Sequence, residues 1–299
     1  MPSLTARAFQ SALAAIAGGR VARATEADLR AAVANGRKPG AGDPPKSFFK
    51  QCAVEVSEQD GHRIYTARPT GDVPVRGRTL YLHGGGYVNP PAFLHWWFIA
   101  RLVKTLGVEC VVPRYPLAPE HSCDEGTAFA LGVYQQLLDK HGPEHLLVMG
   151  DSAGGGLALA MLQQAKTMPA GLMLNAPWLD AGVSDPSQVE IERHDWLLNR
   201  FTLRTWGQWW GGGRELSAPM ISPLFGDLSN LPPTLMFAGS ADILVADARR
   251  LASATPGKVR YIEEEGLMHV YPIMPFLPET RRAWTEIERF ANERLLPQA

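Results

Sequence analysis

From residue 78 onward, short apolar segments alternate with longer patterns of helical periodicity. The short segments lie at 78–83, 108–112, 146–149, 172–175, 234–238 and 259–262, and the helical patterns at 94–106, 125–140, 153–166, 245–254 and 279–295. Strands that are joined by helices require right-handed crossovers, and therefore a mostly parallel sheet with helices on both faces. Two further strands at 53–57 and 63–68 are separated by Asp60 and Gly61, which is typical of a hairpin. The predicted fold class is therefore α/β, with an eight-stranded sheet.

Two segments lie outside this alternation. Residues 185–221 are rich in tryptophan and phenylalanine and have no strand pattern, so we expect a cap insertion over the sheet. Residues 1–45 combine a helical pattern at 4–16 with a linker rich in glycine and proline, and we expect a cap helix that docks on the body. The arginine and alanine bias of this segment also fits an organellar transit peptide. The main domain then comprises residues 46–184 and 222–299.

Composition excludes several classes of protein. The chain has 299 residues, 45% hydrophobic and 20% charged, which predicts a compact globular protein rather than a disordered one. A formal net charge of −1 argues against a nucleic-acid partner. No apolar run approaches the roughly 18 residues that a bilayer crossing needs, so we expect no stable membrane anchoring. Three cysteines without CxxC spacing, Cys52, Cys110 and Cys123, indicate neither disulfides nor a thiolate metal site, and favour a reducing, cytoplasmic location.

A GxSxG pentapeptide gives the first candidate for chemistry. Gly150-Asp151-Ser152-Ala153-Gly154 lies between a buried strand pattern and a helix pattern of small residues. A serine on a tight strand-to-helix turn has a strained backbone, and only glycine fits two positions on either side. The helix N-terminus also stabilises negative charge. The context predicts that Ser152 is a nucleophile.

A serine hydroxyl needs a base and an orienting carboxylate, and in this arrangement they follow in the order Ser, Asp, His. Asp242 follows the strand at 234–238, and His269 follows the strand at 259–262. Both then lie beyond the carboxyl ends of parallel strands, where such sheets carry their sites. His269 is the one histidine downstream of Asp242. We therefore predict Ser152, Asp242 and His269 as a catalytic triad.

A glycine run follows the strand at 78–83, in His83-Gly84-Gly85-Gly86-Tyr87. Attack on an acyl carbonyl creates an oxyanion, and bare backbone N–H groups in a glycine run can point at it. The N–H groups of Gly84, Gly85 and Ala153 are the predicted oxyanion hole. No lysine follows at P-loop spacing and no HExxH spacing occurs, so we expect neither a cofactor nor a metal.

Together these motifs resemble the hormone-sensitive-lipase-like carboxylesterases, bacterial family IV of the α/β-hydrolase fold. The similarity covers about residues 50–295 in the expected order, and its segments are HGGGY at 83–87, RYPLAPE at 114–120, GDSAGG at 150–155 and APWLD at 176–180, with the segments around Asp242 and His269. The resemblance implies the same triad and oxyanion donors, and a cap built from the N-terminal segment and an insertion after Trp178. The acid segment is one residue longer than the family's DPLxD form, so Asp247 remains an alternative acid.

The resemblance implies hydrolysis of small to medium acyl esters, with lactones included. An aromatic cap predicts an enclosed apolar pocket, and Tyr87, Trp178, Trp206 and Trp209 are the candidate substrate-binding residues. Amide or peptide hydrolysis and thioester hydrolysis by the same triad remain alternatives, as does a silent ligand-binding homologue. The edge of the strand at 259–262 is a candidate homodimer contact, which is common in the resembling family.

Overall fold

The structure is a computed structural model that describes residues 1–17 and 24–295. The eight strands of its single sheet are β1 Ala53–Gln59, β2 His62–Arg68, β3 Arg78–Leu82, β4 Glu109–Pro113, β5 Leu146–Asp151, β6 Gly171–Asn175, β7 Thr234–Gly239 and β8 Val259–Glu264. The helices are α1 Leu4–Ala17, α2 Glu26–Gly36, α3 Lys46–Phe49, α4 Phe93–Leu106, α5 Cys123–His141, α6 Ala153–Leu162, α7 Gln188–Ile191, α8 Arg200–Gly211, α9 Val245–Ala254 and α10 Pro278–Leu295. The α/β fold class predicted from the sequence is confirmed.

The strand order is β1-β2-β4-β3-β5-β6-β7-β8. β1 pairs with β2, and β2 with β4, in antiparallel fashion, whereas all other pairs are parallel. The β1–β2 turn has Asp60 at φ 51° and Gly61 at φ 77°, and this pair of left-handed residues matches the twist of a two-residue hairpin. The chain changes direction across the sheet between β3 and β5, and such a switch point opens a crevice at the carboxyl ends of the strands.

Both faces of the sheet are covered, because the parallel strands are apolar on both sides. One apolar cluster joins the sheet to α5, α6, α8 and α9. The other joins the opposite face to α4 and α10, with Ala6 of α1 and Phe48 of α3 at its border. Cys52, Cys110 and Cys123 are all buried and unpaired. In the described ranges, no helix combines the length and apolar character that a bilayer crossing requires.

Helix α6 ends at Leu162, four residues before the predicted end at residue 166. Its last turn tightens, since Gln164 N and Ala165 N donate to carbonyl oxygens three residues back. The side-chain amide of Gln163 then donates to the carbonyl oxygen of Pro223 at 2.8 Å. The helix therefore ends where a tertiary hydrogen bond forms. The periodicity of the neighbouring residues could not predict that bond.

The described parts of the two segments outside the alternation contain helices and no strand. Every residue of 185–221 is described and none lies in a strand; the segment holds α7, a 3₁₀ turn at Glu192–His194 and α8. Ser3, just before α1, donates its N–H to Glu279 at 2.6 Å, and Gln10 of α1 donates its side-chain amide to Gly266 O at 2.7 Å. The predicted segments 1–45 and 222–299 include residues 18–23 and 296–299, which lie outside the described residues. Strand β8 is an edge of the sheet, and the homodimer through it stays a prediction.

Candidate active site

Ser152 occupies the turn between β5 and α6 with φ 52° and ψ −124°. A non-glycine residue with a positive φ of this kind has a strained backbone. Such strain is kept only where the surrounding structure holds the residue in place. A Cβ at Gly150 would lie 2.3 Å from Gly154 O, and a Cβ at Gly154 would lie 2.0 Å from Leu82 O. Ser152 N donates to Asn175 O at 2.9 Å, which ties the turn to the neighbouring strand. The two glycines are therefore required by close backbone approach, and they hold the serine at the carboxyl edge of the sheet.

His269 and Asp242 come together at the same edge. Nδ1 of His269 lies 2.7 Å from Oδ2 of Asp242, and both residues are buried. The other oxygen of Asp242 accepts from Leu244 N at 2.9 Å. Burial lowers the pKa of His269, but the charge and hydrogen bond of Asp242 outweigh it, so that the pKa is raised. Asp151, the residue before Ser152, raises the pKa of this ring further.

The serine hydroxyl and the second ring nitrogen of the histidine have no hydrogen-bond partner among the described residues. Among the described residues, no hydrogen bond is made by Ser152 Oγ or by Nε2 of His269. The site therefore combines a serine hydroxyl and a ring nitrogen that are both unoccupied, with the other nitrogen of the ring held by a carboxylate.

Two amides of the glycine run and one beside Ser152 are also without partners. Within the described part of the chain, the N–H groups of Gly84, Gly85 and Ala153 donate to no acceptor. Gly84 and Ala153 are buried, and buried amides without a partner are rare in folded proteins. A Cβ at Gly84 would lie 3.0 Å from the Cβ of Ser152, so the glycine run packs directly against the serine turn. The arrangement offers N–H donors beside the hydroxyl, which suits an oxyanion.

A second buried His–Asp pair lies beneath the glycine run, and the sequence reasoning did not predict it. Asp151 accepts from Tyr81 Oη at 2.5 Å, and its other oxygen lies 3.2 Å from Nε2 of His95. Nδ1 of His95 accepts from Ala92 N at 2.8 Å. Burial raises the pKa of Asp151, but the charge and hydrogen bond of His95 and the bond from Tyr81 outweigh burial and lower it. A Cβ at Gly84 would lie 2.2 Å from the Asp151 carboxylate, so this pair supports the floor of the glycine run.

Asp247, the alternative acid, makes different contacts. Its Oδ2 accepts from Leu179 N at 3.0 Å and from Asp180 N at 2.9 Å, and its Oδ1 accepts from the Gln188 side chain at 3.2 Å. Burial and the charge of Asp180 raise the pKa of Asp247 well above its usual range. Its hydrogen bonds are to the loop after β6 and to α7, whereas the carboxylate at His269 is that of Asp242.

The four aromatic candidates fall into two groups. Tyr87 and Trp178 are each 1% exposed, and Tyr87 stacks on Trp210 with ring centroids 4.3 Å apart. Their burial favours a supporting role over direct contact with a ligand. Trp206 packs on the glycine run, because a Cβ at Gly86 would lie 2.3 Å from its Cε3, and its buried indole N–H has no partner among the described residues. Trp209 contacts α2 instead.

The contact between Trp209 and α2 links the two segments outside the main domain. The Arg30 guanidinium lies over the Trp209 ring at 4.6 Å from its centroid, and the indole N–H of Trp209 donates to Glu26 at 3.1 Å. Cation–π contacts of this kind are worth roughly 0.5–1 kcal/mol at exposed sites. Helix α2 and helix α8 are therefore in direct contact through side chains.

Comparison with known proteins identifies the family of this chain. The family model described as the alpha/beta hydrolase fold matches residues 79–273. The chain belongs to the α/β-hydrolase fold family. It is 34% identical over 219 residues to an acetyl-hydrolase of Streptomyces hygroscopicus, with 69% of this chain and 73% of that protein covered. It is 33% identical over 203 residues to a triacylglycerol lipase of Mycobacterium tuberculosis, with 65% of this chain covered, and spans 41% of that protein's length.

A solved structure described as an esterase from the bacterial hormone-sensitive lipase family is similar over nearly the whole chain. The TM-score is 0.83 at 25% identity, with 99% of this chain and 100% of that one covered. The resemblance to the hormone-sensitive-lipase-like group that the motifs predicted is confirmed.

Proposed function

We propose that this α/β-hydrolase is a serine carboxylesterase in which Ser152 is the nucleophile, His269 the general base and Asp242 the orienting acid. The observation that carries the proposal is the His269–Asp242 contact of 2.7 Å at the edge of the sheet where the Ser152 turn lies. The names of the similar proteins, acetyl-hydrolase, triacylglycerol lipase and esterase, support ester hydrolysis as the reaction.

The chemistry proceeds through an acyl-enzyme. Nε2 of His269 takes the hydroxyl proton of Ser152 as Oγ bonds to the ester carbonyl carbon, and the carbonyl oxygen becomes an oxyanion. The N–H groups of Gly84, Gly85 and Ala153 donate to that oxyanion. His269 then gives the proton to the departing alkoxide as the carbon–oxygen bond breaks. Water repeats the sequence on the acyl-enzyme, which releases the carboxylic acid and restores the serine.

Asp242 serves this cycle by fixing the ring. Because its Oδ2 holds Nδ1–H of His269, the free lone pair is on Nε2, which is the tautomer that a general base needs. The carboxylate also stabilises the imidazolium that forms after proton transfer. Asp247 is left with a structural role, since its oxygens accept from Leu179, Asp180 and Gln188.

We infer the substrate class from the low exposure of the proposed catalytic residues. Ser152 is 7% exposed and His269 6% exposed, so a bound ester is largely removed from water. We assign residues 185–221 and the N-terminal segment 1–45 to a cap, and its helices α2 and α8 meet at Trp209. Trp206 at the glycine run is the aromatic best placed to contact the substrate. Small to medium acyl esters and small lactones fit such a site better than long-chain lipids.

The test compares p-nitrophenyl acetate, butyrate and palmitate. We expect the acetate or butyrate to have the higher kcat/KM, and a preference for palmitate would contradict the proposed substrate class. Activity on a p-nitroanilide or a thioester that exceeded activity on the matched ester would instead favour the amidase or thioesterase alternative.

Labelling with a fluorophosphonate tests the nucleophile directly. Wild-type protein should gain one covalent label, and Ser152→Ala should gain none. Ser217→Ala, a change at an exposed serine of the insertion, is the matched control and should label like the wild type. A protein that neither labels nor hydrolyses any ester would be a silent ligand-binding homologue.

A further inference from the structure

One buried carboxylate of the insertion at residues 185–221 forms a hydrogen bond to the loop that carries Asp242, the proposed catalytic acid. Asp195 follows the 3₁₀ turn of the insertion and is 8% exposed. Its Oδ1 accepts from Leu197 N and Leu198 N, both at 2.9 Å, which closes a local turn. Its Oδ2 accepts from Ile243 N at 2.8 Å, 48 residues away in sequence. Ile243 is the residue that immediately follows Asp242.

The other polar group of Ile243 is also held by the insertion. The side-chain amide of Gln188, in α7, donates to Ile243 O at 3.2 Å. The N–H and the C=O of one residue are therefore bound by two side chains from the same insertion. Asp242 adds a bond within the loop by accepting from Leu244 N at 2.9 Å. The position of the acid loop is thus coupled to the position of the insertion.

The Asp195 carboxylate is also a charge near the proposed base. Burial and the charge of Asp242 raise the pKa of Asp195 to about 6, although its three backbone hydrogen bonds oppose this. The charge of Asp195 contributes to the raised pKa of His269, together with those of Asp242 and Asp151. His95 is the nearby group of opposite sign, and the charge of His269 in turn lowers the pKa of His95.

We propose that Asp195 is a positioning residue that ties the Asp242 loop to the insertion and adds negative charge beside His269. The inference rests on the proposed function, because it takes Asp242 and His269 as the catalytic pair. It assigns the insertion a part in the chemical step, besides enclosing the substrate. Asp195 acts through Asp242 and His269 and does not itself touch the reacting atoms.

Asp195→Asn tests the proposal, since the amide keeps the shape but loses the charge and one acceptor. We expect kcat on p-nitrophenyl butyrate to fall by about 10- to 100-fold, the range for losing a hydrogen bond to a charged group, with KM nearly unchanged. We also expect the acid limb of the kcat/KM profile to move to lower pH, because removing a negative charge lowers the pKa of His269. A purely structural role would leave that limb in place.

Asp185→Asn is the matched control. Asp185 accepts from Ser187 N at 2.9 Å in a turn like that of Asp195, lies in the same insertion, and makes no hydrogen bond to the acid loop within the described residues. The control should keep wild-type kcat and pH profile. Wild-type kcat and an unmoved acid limb in Asp195→Asn would overturn the proposal, whereas an inactive wild-type protein would instead overturn the proposed function.

Asp195→Glu covers the case in which Asp195→Asn does not fold, as judged by circular dichroism. Glutamate keeps the charge but displaces the carboxylate from Ile243 N. We expect kcat to fall by about tenfold, since the same bond is lost. A glutamate variant with wild-type kcat would show that the bond to Ile243 does not position the acid.

Discussion

Two buried histidine–aspartate pairs lie within the candidate active site, and they differ in the hydrogen bonds of their ring nitrogens. In the His269–Asp242 pair, the carboxylate holds Nδ1 and leaves Nε2 without a partner among the described residues. In the His95–Asp151 pair, Nε2 contacts the carboxylate while Nδ1 accepts from Ala92 N. In each case burial lowers the pKa of the histidine and the paired aspartate outweighs it, so the pKa is raised in both. The raised pKa therefore does not distinguish the proposed base from its neighbour, whereas the ring nitrogen without a partner does.

Replacing each histidine by glutamine should give the largest difference in kcat between the two pairs. His269→Gln removes the base, and we expect kcat to fall by about 10⁴- to 10⁶-fold, as for other triad members. His95→Gln keeps a donor for Asp151, so we expect kcat within about tenfold of wild type and a loss of about 1–3 kcal/mol in the free energy of unfolding. Steady-state kinetics and thermal unfolding measure the two effects. Equal losses of kcat in both variants would refute the distinction.

The acid of the active pair is tested by a second matched set. Asp242→Asn should lower kcat by about 10⁴-fold, because the amide favours the wrong tautomer of His269. Asp247→Asn should have a much smaller effect on kcat, because the side-chain hydrogen bonds that Asp247 makes among the described residues are to Leu179, Asp180 and Gln188 and not to His269. Kinetics on p-nitrophenyl butyrate distinguish them. If the change at 247 were the more damaging one, Asp242 would not be the acid.

The support role of the second pair is tested at Gly84. Gly84→Ala would place a Cβ 2.2 Å from the Asp151 carboxylate, so the glycine run must shift and the oxyanion donors with it. We expect kcat to fall by about 10²-fold, near the loss of one oxyanion donor. Gly132→Ala in α5 is the control, because its Cβ would meet no atom closer than 3.5 Å. A Gly84→Ala enzyme as active as the control would mean that the glycine run does not carry the oxyanion.

The smallest expected effect is in the pH profile. His269 acts as a base only when neutral, and its pKa is raised, so activity should be lost as pH falls through a value above the ordinary histidine pKa of about 6.5. His95→Gln should retain an acid limb above that value, since Asp242 stays in place. The measurement is kcat/KM against pH for both proteins. An acid limb below pH 6.5 in the wild type would contradict the raised pKa of His269.

Much of the candidate site could be predicted because it lies on turns whose residues are dictated locally. The close approaches at Gly150 and Gly154 leave no room for a side chain, so the GxSxG pattern marks the Ser152 turn. Asp242 could be placed near the site from its position after a strand, but the choice between it and Asp247 needed the hydrogen bonds. His95 and Asp195 were not predicted, because each makes its decisive contact with a residue about 50 positions away.

The sequence by itself determined the α/β class, the order of strands and helices, and the turns that carry Ser152 and Gly84. Each of these follows from periodicity or from steric limits over a few neighbouring residues. Only the tertiary structure decided which carboxylate contacts His269 and how the insertion binds Ile243. It also decided which of the two paired histidines, His269 or His95, has a ring nitrogen without a partner among the described residues. Those outcomes depend on hydrogen bonds between distant segments, and such bonds are set by the packing of the whole sheet and its helices.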